Sequence, residues 1–295
     1  MKAVAFAYHA PASLGEVRGL LERYGVDAVP LAGGQSLVPL MALRLLRPRV
    51  LIDLNGVPEL AGIRAGPGAV TVAAMTRQRA VERSPLVATR LPLLAGAMGH
   101  VGHPQVRNRG TVGGSLAAGH PCAELPAVAL ALDAEFVVVA PRSERMLSAE
   151  EFYRVAPGAE AVGRACALAA DEVLTEVRFR VPPPGAGHGF HETSRRVRDF
   201  PTAGAAVVLG RDRAGRCAYA RVALLGAGPG PLRAGPAERV LLDGPLTSEV
   251  IAAAAGAAGD LVSGESLRDM TVALTARALA DAARRARPSE GRAPS

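Results

Sequence analysis

The sequence predicts an α+β protein built in parts, and three observations carry that prediction. Near the amino terminus a short apolar run ends in a glycine pair and passes into a helix. Strands and helices then mix as far as Val181. Beyond the rigid Pro182-Pro183-Pro184-Gly185, three strands precede three helices. A proline run after a strand is a natural boundary. Strands followed by helices imply an antiparallel sheet with helices packed on one side, so residues 186–286 are read as a small α+β domain with a three-stranded sheet.

Taken in order, residues 1–55 read as a helix from Ser13 to Tyr24, a strand from Val26 to Ala32, a glycine loop, a helix from Leu37 to Leu46 with Ser36 as its N-cap, and a strand from Val50 to Leu54. Pro39 is tolerated because it falls in the first helical turn, where N–H groups have no intrahelical partner. In residues 56–181, Ala69 to Ala74 alternates like a strand, and Met75 to Arg83 and Leu86 to Met98 read as helical. Glu135 to Ala140 reads as a strand, and Ser148-x-x-Glu151 is a capping box that opens a short helix. Glu172 to Val181 alternates, with Val173, Thr175, Val177, Phe179 and Val181 on one face. In the last part the strands are His188 to His191, Ala203 to Leu209 and Arg216 to Leu225, with a turn around Asp212 to Gly215. The helices are Ala237 to Leu242, Ser248 to Val262 and Leu267 to Arg285. The tail at 287–295 is rich in Pro, Gly and Ser and is expected to be disordered.

Composition removes several classes of function. With 295 residues and 49% hydrophobic content, the chain can bury a substantial core. No stretch approaches ~20 uninterrupted apolar residues, and the start lacks a signal-peptide layout, so a cytoplasmic protein without a membrane span is expected. Three scattered cysteines make neither a disulfide framework nor a four-thiolate iron–sulfur site. The net charge of +7 is spread along the chain and aromatic residues are only 3%, which leaves little to stack on bases, so nucleic acid is not an expected partner. His100, His103, His120 and Cys122 have H-x-x-H and H-x-C spacings, but no C-x-x-C or H-E-x-x-H pattern supports them, and no metal site is expected. No G-x-S-x-G elbow is present, so no nucleophile is assigned.

The chemistry concentrates in two segments. Leu31-Ala32-Gly33-Gly34-Gln35-Ser36-Leu37-Val38-Pro39 is echoed by Gly110-Thr111-Val112-Gly113-Gly114-Ser115. Each sets two glycines beside a hydroxyl residue, as needed to bring bare backbone N–H groups against a diphosphate. A hydrogen bond to a charged group contributes roughly 1.5–3 kcal/mol, so a few amides hold such an anion without lysine. The chain needs that economy, because Lys2 is its only lysine. Either glycine pair alone also fits a plain strand-to-helix turn; together they point to one dinucleotide gripped twice. Neither is G-x-G-x-x-G or a P-loop. Gly226-Ala227-Gly228-Pro229-Gly230 is excluded as such a motif by Pro229, Pro231 and Pro236, which prevent a helix from starting at the glycines.

These segments combine with Phe6-x-Tyr8-x-x-Pro11-x-Ser13, Arg44-Leu45, Leu51 to Leu54, Pro104 to Gly114, and Pro229 to Leu242 with Glu238 and Gly244. In that order and spacing the chain resembles, over nearly its whole length, the FAD-binding medium subunit of the molybdenum hydroxylases, the family that includes aerobic carbon monoxide dehydrogenase and xanthine dehydrogenase. The resemblance implies a two-part FAD-binding domain of the p-cresol methylhydroxylase type, over residues 1–55 and 56–181, followed by a carbon monoxide dehydrogenase flavoprotein-like C-terminal domain over 186–286. It implies that Ala32, Gly33, Gly34, Gln35, Ser36 and Leu37 form one diphosphate loop, and Gly110, Thr111, Gly113, Gly114 and Ser115 the other. Val101 and Leu174 would flank the adenine, although both also look like ordinary core residues. Glu124 stands for a family aspartate on the flavin's sugar-alcohol side. His191 stands where a relative has a lysine near the isoalloxazine, or is a satisfied structural histidine. The chain departs from the family in having Ser115 for an asparagine and His120 for an acid, which removes a negative charge expected around the ribityl chain.

The same resemblance implies a function without any catalytic side chain. A large partner subunit would carry the molybdopterin cofactor and a small partner subunit two 2Fe-2S clusters, in a dimer of heterotrimers. Electrons would pass through FAD on this chain to NAD, quinone or oxygen. The alternative is a stand-alone flavin oxidoreductase of the same FAD-binding superfamily.

Overall fold

A computed structural model describes residues 2–154 and 166–288. In chain order the elements are β1 Ala7–His9, α1 Leu14–Tyr24, β2 Ala28–Leu31, α2 Leu37–Ala42, β3 Val50–Asp53, β4 Ile63–Gly66, β5 Ala69–Ala73, α3 Gln78–Glu82, α4 Pro85–Arg90, α5 Pro92–Met98, α6 Pro104–Arg109, α7 Val112–Ala118 and α8 Glu124–Ala131. They continue with β6 Glu135–Val139, β7 Glu144–Ser148, α9 Ala149–Phe152, β8 Val173–Arg180, β9 Gly187–Thr193, β10 Ala203–Arg211, β11 Cys217–Leu225, β12 Leu232–Arg233, α10 Gly235–Leu241, α11 Ser248–Gly259 and α12 Glu265–Arg285. The chain forms two compact units: Met1–Ser84 with His103–Ala118 and Ala134–Phe179, and Pro85–Gly102 with Gly119–Asp133 and Arg180–Ser295.

The first unit contains two sheets. The smaller is parallel, in the order β1-β3-β2, with Ala7 opposite Val50 and Leu31 opposite Asp53. Its cover is α1, which starts where the Ser13 hydroxyl accepts the Glu16 N–H at 3.2 Å. Val17 and Leu21, one turn apart on α1, pack with Val50, Ile52, Leu54 and Leu60. The larger sheet runs β4-β5-β8-β6-β7. Its short cap α9 carries the capping box predicted at Ser148 and Glu151.

The second unit is built on a sheet in the order β12-β11-β10-β9, antiparallel throughout. Ala205, Val207, Val222 and Leu224 of that sheet meet Ala254, Ala258, Ala278, Leu279 and Ala282 of α11 and α12. Small residues let helix and strand approach closely. A Cβ on Gly187 or Gly189 of β9 would lie 2.0 Å from the carbonyl oxygens of Ala282 and Ala278. Helix α8 is buried along its entire length.

Several boundaries differ from those the sequence predicts. The helix expected over 37–46 stops at Ala42, because Arg44 takes φ 61° and the Leu45 N–H turns back to the Leu40 carbonyl. Ser36 stands at its N-cap position but makes no side-chain cap bond. The helix expected over 75–83 shrinks to α3, since the Thr76 hydroxyl is bound to the Gly62 backbone. The one expected over 86–98 is divided at Leu91-Pro92 into α4 and α5, as a proline lacking the N–H requires. The carboxy-terminal sheet has four strands rather than three, because the short β12 pairs with β11 through Ala223 and Leu224. At the tail, the Arg287 N–H donates to the Gly185 carbonyl and Pro288 bridges Arg211, so disorder does not begin at 287. The expected disorder of 289–295 lies outside the described residues.

Candidate functional site

Within the first unit the two glycine segments meet. Strand β2 leaves the sheet at Leu31, opposite Asp53, and the Ala32 carbonyl accepts the Asn55 side-chain amide at 3.0 Å. A Cβ on Gly33 would come within 2.4 Å of the Arg109 carbonyl oxygen and 2.8 Å of Gly110 Cα. On the other segment, a Cβ on Gly113 would fall 2.4 Å from Ala74 Cβ, and one on Gly114 would fall 2.7 Å from the Thr111 hydroxyl oxygen and 3.2 Å from Ala32 Cβ. The glycines are thus needed first for the segments to abut. Gly34 adds a turn at φ 73°. The Arg77 guanidinium ties the junction by donating to the Arg109 carbonyl and to Asn55 Oδ1, each at 2.6 Å.

The two segments offer different donors. Among the described residues, the N–H groups of Gly34, Gln35 and Ser36 donate to no protein acceptor. In the second segment the Val112 and Gly113 N–H groups go to the carbonyls of Thr76 and Ala74, at 3.0 and 2.8 Å. The Gly114 N–H goes to the Thr111 hydroxyl oxygen at 3.0 Å, and the Ser115 N–H to the Thr111 carbonyl at 3.2 Å. The expectation that amides of both loops face a ligand is therefore corrected. The first segment leaves amides unpartnered, whereas in the second Gly113 and Gly114 supply clearance and none of residues 110–115 lines the cavity that opens on the first.

A cavity of ≈ 380 Å³ opens on the first segment, lined by Leu31 to Gln35 with Val38, Pro39, Asp53, Asn55 and Arg109. Burial pushes the Asp53 carboxyl up, but hydrogen bonds from the Tyr8 hydroxyl and from Asn55, together with the Arg109 charge, outweigh it and hold the pKa below the usual value. The Asp53 bond in turn raises the Tyr8 hydroxyl. With Asp53 occupied by Tyr8 and Asn55, the cavity presents free amides and the Arg109 cation. Those donors fit a diphosphate. Tyr8, Asp53, Asn55, Arg77 and Arg109 were not singled out from sequence as site residues; the only signal was that Tyr8, Asp53 and Arg109 fall within the matching motifs.

The remaining candidates are divided between the two units. Leu174 is buried in β8 of the first unit, and Val101 is buried in the second. Also in the second unit, Glu124 opens α8 with 5% exposure. Burial raises its carboxyl to about 7; its own backbone N–H and His100 pull down, while Glu192 pushes up. His100 Nδ1 stands 3.2 Å from Glu192 Oε1, and this bond raises the His100 pKa. Burial raises the Cys122 thiol, with Glu124 adding to the effect. His120, which replaces the family's acid, stacks on Phe200 with centroids 4.2 Å apart, and burial lowers its pKa. It is an aromatic platform rather than a charge. His191 Nε2 pairs with Asp281 Oδ2 of α12 at 3.2 Å. Among the described residues, no group of three or more His, Cys, Asp or Glu side chains could hold a metal ion, and no helix is long and apolar enough to cross a membrane.

The chain thus combines two abutting glycine segments, the first with unpartnered amides, on a small parallel sheet with a separate helix-backed antiparallel sheet; a nucleotide-binding protein is the class these features fit. Residues 4–183 match the FAD binding domain in molybdopterin dehydrogenase, and residues 188–274 match the CO dehydrogenase flavoprotein C-terminal domain. The chain belongs to this family of FAD-binding dehydrogenase subunits. It is 41% identical over 254 residues to the carbon monoxide dehydrogenase medium chain of Hydrogenophaga pseudoflava, covering 86% of this chain and 85% of that one. It is 37% identical over 304 residues to the 6-hydroxypseudooxynicotine dehydrogenase complex subunit alpha of Paenarthrobacter nicotinovorans, covering 98% of each. A solved carbon monoxide dehydrogenase from Hydrogenophaga pseudoflava, lacking the Mo-pyranopterin moiety of its cofactor, superposes with a TM-score of 0.91 at 38% identity, covering 97% of this chain and all of the matched one.

Proposed function

We propose that this chain carries FAD in a cytoplasmic molybdenum hydroxylase complex and passes electrons from 2Fe-2S clusters of a small partner subunit to an external acceptor. A large partner subunit would hold the molybdopterin cofactor, in a dimer of heterotrimers, and the acceptor would be NAD, quinone or oxygen. Residues 1–55 and 56–181 would be the two parts of the FAD-binding domain, with 186–286 as the C-terminal domain. The observation that carries this proposal is the junction of the two glycine segments, where the Gly34, Gln35 and Ser36 amides are left without protein acceptors.

In this proposal those amides and Arg109 bind the diphosphate, and the hydroxyls of Thr111 and Ser115 hold further phosphate oxygens. The positions of Ala32, Leu37 and Gly110 shape the cradle. Val101 and Leu174 offer apolar surface to the adenine, and Glu124 and His191 stand toward the flavin. FAD, when bound, supplies the two-electron chemistry that no side chain has. The chain's own residues orient it and set its surroundings, and none needs to act as a general acid or base.

A test is Gly33→Val in the co-expressed complex. The added side chain would strike the Arg109 backbone and part the two segments. The expected outcome is a complex that still copurifies with two partner chains but loses its flavin absorption. Full FAD content in the variant would refute the cradle assignment, and a chain that purifies alone with flavin would favour the stand-alone oxidoreductase.

A further inference from the structure

One side of the first unit carries apolar side chains that the fold leaves in water. Helix α2 is anchored by the buried Met41 and ends one residue later. Arg44 then takes φ 61°, and the Leu45 and Leu46 N–H groups both turn back to the Leu40 carbonyl, at 2.9 and 3.3 Å. This closed turn leaves Leu43, Leu45 and Leu46 outward, and Leu45 is 69% exposed. The amino-terminal segment runs beside it: Arg44 Nε donates to the Lys2 carbonyl at 3.3 Å, and the Ala7 N–H to the Arg49 carbonyl at 2.9 Å. That segment adds Val4 and Phe6, both exposed as well. At the other end Val38, half exposed, lines the cavity of the first glycine segment. Single exposed apolar residues are normal on a protein; six on two segments tied together make a patch, the mark of an interaction surface.

The rim of this patch has one sign. Lys2, Arg44, Arg47 and Arg49 lie in the same two segments, and no Asp or Glu occurs at 2–15 or 28–52. Among the described residues, Arg49 faces Asp27 at 3.8 Å, an exposed pair that contributes little, while Lys2, Arg44 and Arg47 meet no carboxylate. Such a patch fits a protein surface that is apolar at its centre and lined by Asp and Glu at its edge. A second copy of this chain does not fit, because an isologous contact would set each rim against its own cations. An anionic lipid surface fits poorly, since an interfacial anchor is an amphipathic helix, and here the leucines stand in a turn after a six-residue helix.

We propose that residues 2–6 and 38–49 form the docking surface for the cluster-bearing partner subunit, which would meet it with an apolar patch rimmed by Asp and Glu. The inference rests on the complex proposed above. It selects the cluster-bearing chain because electron transfer falls off steeply with distance, so the donor has to stand beside the cofactor site, and Val38 joins the patch to that cavity.

The test uses the co-expressed complex, purified through a tag on this chain at low and at high salt. Leu45→Glu is expected to lower the yield of the cluster-bearing chain at least tenfold, while this chain keeps the flavin absorption and thermal midpoint of wild type. Arg47→Glu is expected to lower that yield at least threefold at low salt, with a smaller deficit at high salt, because exposed charges are screened. A photoreactive amino acid in place of Leu45 is expected to crosslink to the cluster-bearing chain. If Leu45→Glu does not fold, Arg47→Glu and the crosslink decide. Wild-type yields of the partner chain in the deciding variants overturn the proposal, as does a crosslink to the large subunit, to a second copy of this chain or to lipid alone. A wild-type chain that purifies with no partner would instead overturn the complex on which the proposal rests.

Discussion

At Glu124 the cost of burying a charge competes with a nearby imidazole, and burial wins, holding the carboxyl at about 7 against an ordinary 4.5. A folded-state pKa above the unfolded one means that the native chain binds the proton more tightly. The stabilisation is complete below about pH 4.5 and is lost as the pH rises through 7. The span corresponds to at most about 3.5 kcal/mol. The raised His100 pKa acts with the same sign. We therefore expect the flavin-free protein to lose stability between pH 5 and 8, and Glu124→Gln to flatten that slope and exceed wild type at pH 8. Urea unfolding at several pH values checks both; an unchanged slope in the variant would show that the proton sits elsewhere.

Among the elements, the contact of β9 with α12 is the tightest made by glycine. A Cβ on Gly189 would lie 2.0 Å from the Ala278 oxygen, and both partners are backbone, which cannot swing aside as a side chain can. Gly189→Val should cost about 3 kcal/mol or more, at the upper end for overpacking, read as a lower denaturant midpoint. A loss under about 1 kcal/mol would mean that the strand and helix separate easily. Strands β10 and β11 of this sheet were legible in the sequence because Ala203 to Leu209 and Arg216 to Leu225 are largely apolar runs bounded by turn residues, whereas the two-residue β12 was not. Helices α6 to α8 were not. Helix α8 is apolar and buried on every side, so it carries no 3.6-residue period, and α7 begins with the same two glycines that mark the anion loop. The glycine segments announced an anion site, but not the division of labour within it. Whether an amide is free depends on where Thr76 and Ala74 place their carbonyls, which is a tertiary fact. The pair of His100 and Glu192 was invisible for a similar reason, since the two lie 92 positions apart, too far for any local pattern to link them.

At the scale of the whole chain, the cradle joins residues near 33 to residues near 113, so its geometry exists only when the first unit is folded. A ligand bound only by that folded arrangement must stabilise it by mass action. At free FAD one hundred times its dissociation constant, the gain is about 2.7 kcal/mol. Such a gain raises the thermal midpoint by roughly 5–10 °C, since each kcal/mol is worth roughly 2–4 °C for 150–250 residues and somewhat less for a longer chain. The flavin-free wild type should show that rise when FAD is added, growing with the logarithm of concentration. Gly33→Val should show none, because the parted segments no longer differ from the unfolded chain in their affinity for a diphosphate. Inorganic diphosphate gives a sharper discrimination, since it carries only the charge that the Gly34, Gln35 and Ser36 amides are argued to hold. It should produce a smaller shift in wild type and compete with FAD. A midpoint that responds to FAD but not to diphosphate at any concentration would place the binding free energy in the adenine and flavin contacts instead of the amide cradle.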